Sequence, residues 1–255
     1  MVPVSVVIIT YNEERNISRC IESVKTWAAE IVVVDSGSTD RTCEIAATMG
    51  AKIIHHAFEG HIEQKNFAAS QAQNDWVLSL DADEAVDEEL SESIQRVMKK
   101  PQADGYTMNR LNNYCGTFIW HGAWYPDTKL RLWNRHKGKW AGINPHDRYE
   151  MQPGAVIQHI QGHILHYSYQ SVAEHKKKAA YFAKIAAEAY FKANKRSNFW
   201  KLVIHPTTRF IRDFILKSGF LDGKKGLQIA AITAGEVYRK YRHLLKLQKQ
   251  ARSKF

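Results

Sequence analysis

Trp76-Val-Leu-Ser-Leu-Asp-Ala-Asp-Glu84 runs from an apolar stretch into a pair of carboxylates. Val77, Leu78 and Leu80 read as a short buried strand bounded by polar residues. An open α/β sheet binds its ligands in the crevice at the carboxyl ends of its strands, so Asp81 and Asp83 are delivered to that edge. Two like charges one residue apart repel unless a cation lies between them. A hard divalent ion, Mg²⁺ or Mn²⁺, takes such oxygen ligands and usually shares them with phosphate. The Asp-Ala-Asp therefore points to a metal that holds a diphosphate. The plainer reading is a pair of solvated aspartates capping the helix that follows.

Upstream, Val4 to Thr10 is a continuous apolar run, the pattern of a strand buried on both faces. Asn12 is a candidate cap for a helix carrying Ile17, Cys20, Ile21 and Val24, and Glu13 and Glu14 suit its positive end. Glu30 to Asp35 is a second buried strand, and Asp35 ends it within reach of a base or ribose. The turn Ser36-Gly-Ser-Thr-Asp40 follows. Helices are expected over Thr42–Met49, His61–Asn74 and Asp87–Lys100, with a short strand at Lys52–His55. Strand and helix alternate three times before the opening strand, which predicts an α/β fold with a mostly parallel, Rossmann-like sheet. Neither Gly-x-Gly-x-x-Gly nor Gly-x-x-x-x-Gly-Lys-Ser/Thr occurs, which argues against a dinucleotide cofactor and a P-loop. Phosphate binding then falls to the metal and a basic side chain.

Beyond residue 100 the pattern changes. Ala103–Arg110 and Lys129–Trp133 read as strands. Between them lies a loop with Tyr114, Phe118, Trp120, Trp124 and Tyr125, flat faces suited to sugar rings or to a core. Trp140 to Tyr149 reads as a loop broken by Gly142 and Pro145. It holds His146 and Asp147, a pairing that suits a base and its partner, or a solvated turn. Ile157 to Tyr167 alternates as a strand. His163 and His166 fall on opposite faces of it, so at most one reaches a given site.

The 255 residues are 44% hydrophobic and include 3 Cys, scattered and without metal-ligand spacing. Reduced thiols in the cytoplasm are expected, with no secretory leader in residues 1–12 and no membrane span. From Val172 to Phe255 there are 20 Lys+Arg against 5 Asp+Glu, a net of +15. The rest of the chain carries −5, since the whole is +10. That tail predicts basic helices with two apolar stripes, Phe182-Ile185-Ala186-Ala189-Tyr190 and Phe210-Ile211-Phe214-Ile215, and a third helix over Leu227–Leu247. Basic helices with aromatic residues suit an anionic membrane surface, the reading that the charge asymmetry favours over packing on the domain with lysines outside. The expected division is 1–171 (a nucleotide-binding half, 1–100, and an acceptor half, 101–171) and a basic helical region, 172–255.

Val7-Ile-Ile-Thr-Tyr-Asn-Glu-Glu14, Val32-Val-Val-Asp-Ser-Gly-Ser-Thr-Asp40, Gln64-Lys-Asn66 and Leu80-Asp-Ala-Asp-Glu84 match, in order and separation, the family 2 inverting glycosyltransferases. Trp140 to Asp147 and Arg209 to Gly223 resemble the branch that includes lipopolysaccharide core glucosyltransferases. The resemblance implies a GT-A fold, a UDP-sugar donor, Mg²⁺ or Mn²⁺, and a glycolipid acceptor at the inner face of the cytoplasmic membrane. It implies that Tyr11, Glu13 and Asp35 cradle the uridine, with Thr10, Ser36, Gly37 and Ala82 alongside. Lys65 faces ribose or diphosphate, Asp81 lies by the ribose, Asp83 ligates the metal and His166 assists it. The family's Glu-Asp base motif is absent. The related branch carries His-Glu where this chain has His146-Asp147, which makes Asp147 the expected base. The competing readings are a transferase for polyprenyl-linked or capsule glycans within the same class, a nucleotidyltransferase on the same sheet, and a nucleic-acid-binding module. No nucleic-acid motif supports the last, and no nucleic acid is expected as partner.

Overall fold

A computed structural model describes residues 1–143 and 146–252, without the side chains of Ile143, His146 and Arg252. Four strands, β1 (Val2–Thr10), β2 (Ala28–Asp35), β3 (Lys52–His55) and β4 (Trp76–Asp81), lie parallel in the order β3-β2-β1-β4. The sheet continues through β8 (Thr128–Asn134), β6 (Gly105–Tyr114), β11 (Ile157–Tyr169) and β5 (Glu84–Val86), with β7 (Thr117–Phe118) on β6. Here β8 is antiparallel to β4, and β5 to β11. The expected α/β, GT-A-type arrangement is thus present, with an antiparallel half beside the parallel one.

The continuous apolar run of β1 has a direct cause. Val6 and Ile8 point into a cluster with α1 (Ile17–Glu22), α2 (Thr42–Thr48) and α4 (Glu88–Lys99), while Val7 joins Val32, Val34 and Val77 beneath α3 (His61–Ser70). Both faces are covered, so neither can be polar. β1 has β2 on one side and β4 on the other. That is the switch point at which open α/β sheets bind ligands. Register brings Thr10 beside Asp35 and Ile9 beside Asp81.

Several expectations change. Trp140–Ile143 and His146–Tyr149 are not loop: they belong to two antiparallel strands, β9 (Gly138–Ile143) and β10 (His146–Met151), in which Trp140 pairs with Tyr149. Tyr149 stacks on Trp133 at 3.9 Å and Trp140 meets both edge-on, an aromatic pack that the glycine and proline conceal in the sequence. Asn144 and Pro145, and the side chain of the expected His146 partner, lie outside the described residues. Asn12 does not cap α1. It sits at φ 55 and accepts the Thr39 N–H at 2.8 Å, tying the β1 end to the turn after β2. The aromatic loop is mostly core: Tyr114 is fully buried with Trp124 and Tyr169 packed on it, and Trp120 is the exposed member.

The chain forms two compact units, residues 1–111 with 127–167, and 112–126 with 168–255. The second is helical: α5 (Val172–Lys192), α6 (Phe199–Phe210), a π-helical turn (Ile211–Leu216), a 3-10 turn (Gly219–Asp222) and α7 (Gly223–Arg252). α5 buries Ala179, Ala183 and Ala187 rather than the expected Phe182 stripe. Small residues at i, i+4 and i+8 let α5 and α7 approach closely, and leave Phe182 and Ile185 exposed. The Phe210–Ile215 stripe is split where α-helix becomes π-helix.

Candidate active site

Two cavities open at the carboxyl edge of the parallel strands, and Asp81 lines both. The first, about 300 Å³, is walled by Thr10, Tyr11 and Glu13 after β1, Ser36 after β2, and Asp81, Ala82, Asp83 and His166. Phe58, His61 and Gln64 complete it. The second, about 520 Å³, is walled by Lys65, Asp81, Arg110, Arg131, Trp140, Asp147, Arg148 and Tyr149 among others. Of the expected residues, Asp35 and Gly37 line neither. Asp35 is fully buried, and its carboxylate accepts the Gly37 N–H (2.9 Å), the Ser38 N–H (3.0 Å) and the Ser38 hydroxyl (2.5 Å). Burial pushes its pKa up, but these bonds outweigh that and the net direction is down. Asp35 thus fixes the turn that presents Ser36.

Gln64, Lys65 and Asn66 are consecutive on α3, so they leave the helix roughly 100° apart and serve three elements. Gln64 donates to Ser36 Oγ at 3.0 Å. Lys65 Nζ, almost fully buried, lies 2.8 Å from Asp147 Oδ2 and 3.4 Å from Asp81 Oδ1. Asn66 exchanges two 2.9 Å bonds with the Trp140 backbone and so pins the hairpin that carries Asp147. This link was invisible in the sequence, because the hairpin itself was read as a loop.

Glu84, quoted above only as the last residue of the Asp-Ala-Asp stretch, is a second missed residue. Its Oε2 accepts the Asp81 N–H at 3.0 Å, and its Oε1 lies 3.1 Å from Arg131 Nη2 and 3.3 Å from Arg110 Nη1. The signal was present: Arg131 stands between Leu130 and Leu132 in an apolar strand, and a buried arginine demands a carboxylate. Arg131 also reaches Asp81 Oδ2 at 3.3 Å. Burial pushes the Asp81 pKa up, but Lys65, Arg131, His166 and Arg110 outweigh it and hold the carboxyl well below the usual range. Asp81 therefore stays ionised.

Asp83 and His166 meet with Oδ2 and Nε2 3.3 Å apart. Two contacts fix the pair: β5 sets Glu84 opposite His166, and the Tyr167 N–H donates to the Asp83 carbonyl at 2.9 Å. His163 faces the other way, to Asp87 at 3.0 Å. A carboxylate oxygen and an imidazole nitrogen on the wall of one cavity suit a divalent ion whose remaining positions go to phosphate oxygens. Oδ1 of Asp81, at the end of β4, accepts no hydrogen bond and is ion-paired with Lys65 Nζ at 3.4 Å. The donor set fits the implied metal.

The family model of glycosyl transferase family 2 matches residues 5–220. An uncharacterized glycosyltransferase of Rickettsia typhi is 32% identical, over 92% of this chain and 84% of its own. The lipopolysaccharide core biosynthesis glycosyltransferase LpsC of Rhizobium meliloti is 29% identical, over 96% and 94%. A crystal structure of S. aureus TarS (1–349) aligns with a TM-score of 0.47 at 17% identity, over 94% and 91%. With strand-end carboxylates at the switch point and a family match reaching through the second half, the chain belongs to glycosyl transferase family 2.

Proposed function

We propose that this glycosyltransferase moves glucose from UDP-glucose, with inversion, to a lipid-linked acceptor of the lipopolysaccharide inner core type. One observation carries the reading of two substrates: Asp81 is shared by two cavities, with Asp83 and His166 on one side and Lys65-bound Asp147 on the other. The first cavity is the donor side, where Tyr11, Glu13 and Ser36 hold the nucleoside. The second is the acceptor side. The similarity to LpsC supports a lipopolysaccharide core acceptor. A glycolipid acceptor places the work at the inner face of the cytoplasmic membrane, and the charge of residues 172–255 agrees with an anionic one.

In this reading Asp147 takes the proton from an acceptor hydroxyl, and the oxygen attacks the anomeric carbon on the face opposite the departing UDP. A base and a leaving group on opposite sides give a single displacement and inversion, the geometry that inverting hydrolysis shares. Lys65 orients the Asp147 carboxylate, and Asn66 holds the strand pair beneath it. Asp83 and His166 would hold Mg²⁺ or Mn²⁺, which would supply positive charge to the diphosphate.

The test is UDP release across a panel of UDP-sugars, with and without Mg²⁺ or Mn²⁺, using core lipopolysaccharide extract as acceptor. Release from UDP-glucose that needs the extract and stops with chelator is expected. Release from a different sugar nucleotide would discard glucose, and pyrophosphate as product would discard glycosyl transfer.

A further inference from the structure

α6 is built the wrong way round for a helix that only covers a core. Phe199, Trp200, Val203 and Ile204 recur at i, i+1, i+4 and i+5, which places them on one helical face. All are exposed, Phe199 and Trp200 by 68% and 66%. The opposite face does the packing: His205 stacks on Tyr241 of α7 at 4.8 Å, and Leu202 joins Ala187, Tyr241 and Leu244. The outward apolar character continues through the next two turns, where Ile211, Ile215, Leu216 (74% exposed), Phe220 and Leu221 are all exposed.

The charge around this surface is predominantly basic. From Ala189 to Gly235 there are 9 Lys+Arg and two acids, Asp213 and Asp222. Neither acid faces solvent unpaired. Asp213 is buried between Arg209 and Arg212, and Asp222 is held by His121 and two backbone N–H groups. Lys192, Lys195, Arg196, Lys217 and Lys224 are exposed around the apolar residues. No described helix is long and apolar enough to cross a membrane. An apolar face with Trp and Phe, a basic surround and no spanning length is the composition of a helix that lies in the headgroup plane.

We infer that residues 199–221 form an in-plane anchor that enters the headgroup region of an anionic bilayer, with Phe199, Trp200 and Leu216 as its penetrating side chains. The inference deepens the glycolipid reading, on which it rests for the choice of a bilayer over another partner. It assigns the contact to α6 and its two following turns, not to the Phe182 stripe or the charged end of α7.

The experiment is flotation of the full chain with vesicles of phosphatidylcholine, pure or with 30% phosphatidylglycerol, without donor or acceptor. We expect binding to the anionic vesicles, a blue shift of tryptophan emission that Trp200→Phe largely removes, and at least tenfold weaker binding for Phe199→Ser/Trp200→Ser. Melting curves of the variants check folding, which these exposed positions should not disturb. No flotation with either vesicle overturns the inference. So does unchanged flotation of the double variant, or a dimer in solution that the same variant dissolves, since the occupant is then a second copy. Flotation without sugar transfer keeps the anchor and sinks the proposed function, whereas transfer to a delipidated core fragment without flotation does the reverse.

Discussion

Lys65→Met removes one buried ammonium while keeping an apolar stem of similar length. Its Nζ lies 2.8 Å from Asp147 and 3.4 Å from Asp81. At an effective dielectric of about 20 these contacts are worth roughly 6 and 5 kcal/mol of attraction before desolvation is subtracted. Removing one partner of a buried ion pair costs roughly 3–5 kcal/mol net, because the other charge stays behind. Asp81 keeps Arg131, so the loss falls mainly on Asp147. For a chain of this size about 2–4 °C accompanies each kcal/mol, so the melting temperature should fall by roughly 6–20 °C. Because Lys65 lines the second cavity and not the first, UDP affinity should change less than tenfold while transfer falls by at least a hundredfold. Calorimetry with UDP and a transfer assay on the same preparation read both. A melt within 1 °C of the parent, with normal turnover, would refute the ion-pair reasoning.

Other consequences follow from particular contacts. Asn66→Ala loses both bonds to the Trp140 backbone, a cost of about 1–3 kcal/mol. Transfer should drop tenfold or more with UDP binding retained, and equal loss of both would reject a role confined to the hairpin. Gly162→Ala should destabilise by about 3 kcal/mol in denaturant melts, since Gly162 is at φ +95 and a Cβ there would sit 2.1 Å from the Leu90 nitrogen. A neutral effect would mean that β11 does not cross α4 so closely. Burial pushes the His175 imidazole down to about 4, against Tyr114 and Trp124. The unfolded chain then binds more protons between pH 6.5 and 4, so this contribution is complete above about 6.5 and is lost on acidification at up to about 1.4 kcal/mol per pH unit. His175→Phe should flatten the fall in melting temperature between pH 6.5 and 4.5, and an unchanged slope would contradict it.

The parallel half of the sheet was legible because its strands are buried on both faces, which leaves unbroken apolar runs ending in Thr10, Asp35 and Asp81. The wall of the first cavity followed from those ends. What the sequence hid was held by long-range pairs. The Trp140–Tyr149 hairpin carries glycine and proline, and its stability comes from Trp133 on the preceding strand and from Asn66, 74 residues away along the chain. Glu84 looked like one more acid at a helix start, and only Arg110 and Arg131, brought in by β6 and β8, show it buried. Asp35 was visible as an aspartate at a strand end, but a strand pattern cannot show that its oxygens also bond its own turn and His55. In α5 the large apolar residues drew attention, whereas the helix packs through alanines.

The most direct test of the account is Asp147→Asn, measured for glucosyl transfer and for metal-dependent UDP affinity together. The account predicts at least a thousandfold loss of transfer with UDP affinity within threefold of the parent, because Asp147 lines the second cavity and not the first. Near-normal transfer by Asp147→Asn would contradict the assignment of the base, and with it the division of the two cavities into donor and acceptor sides.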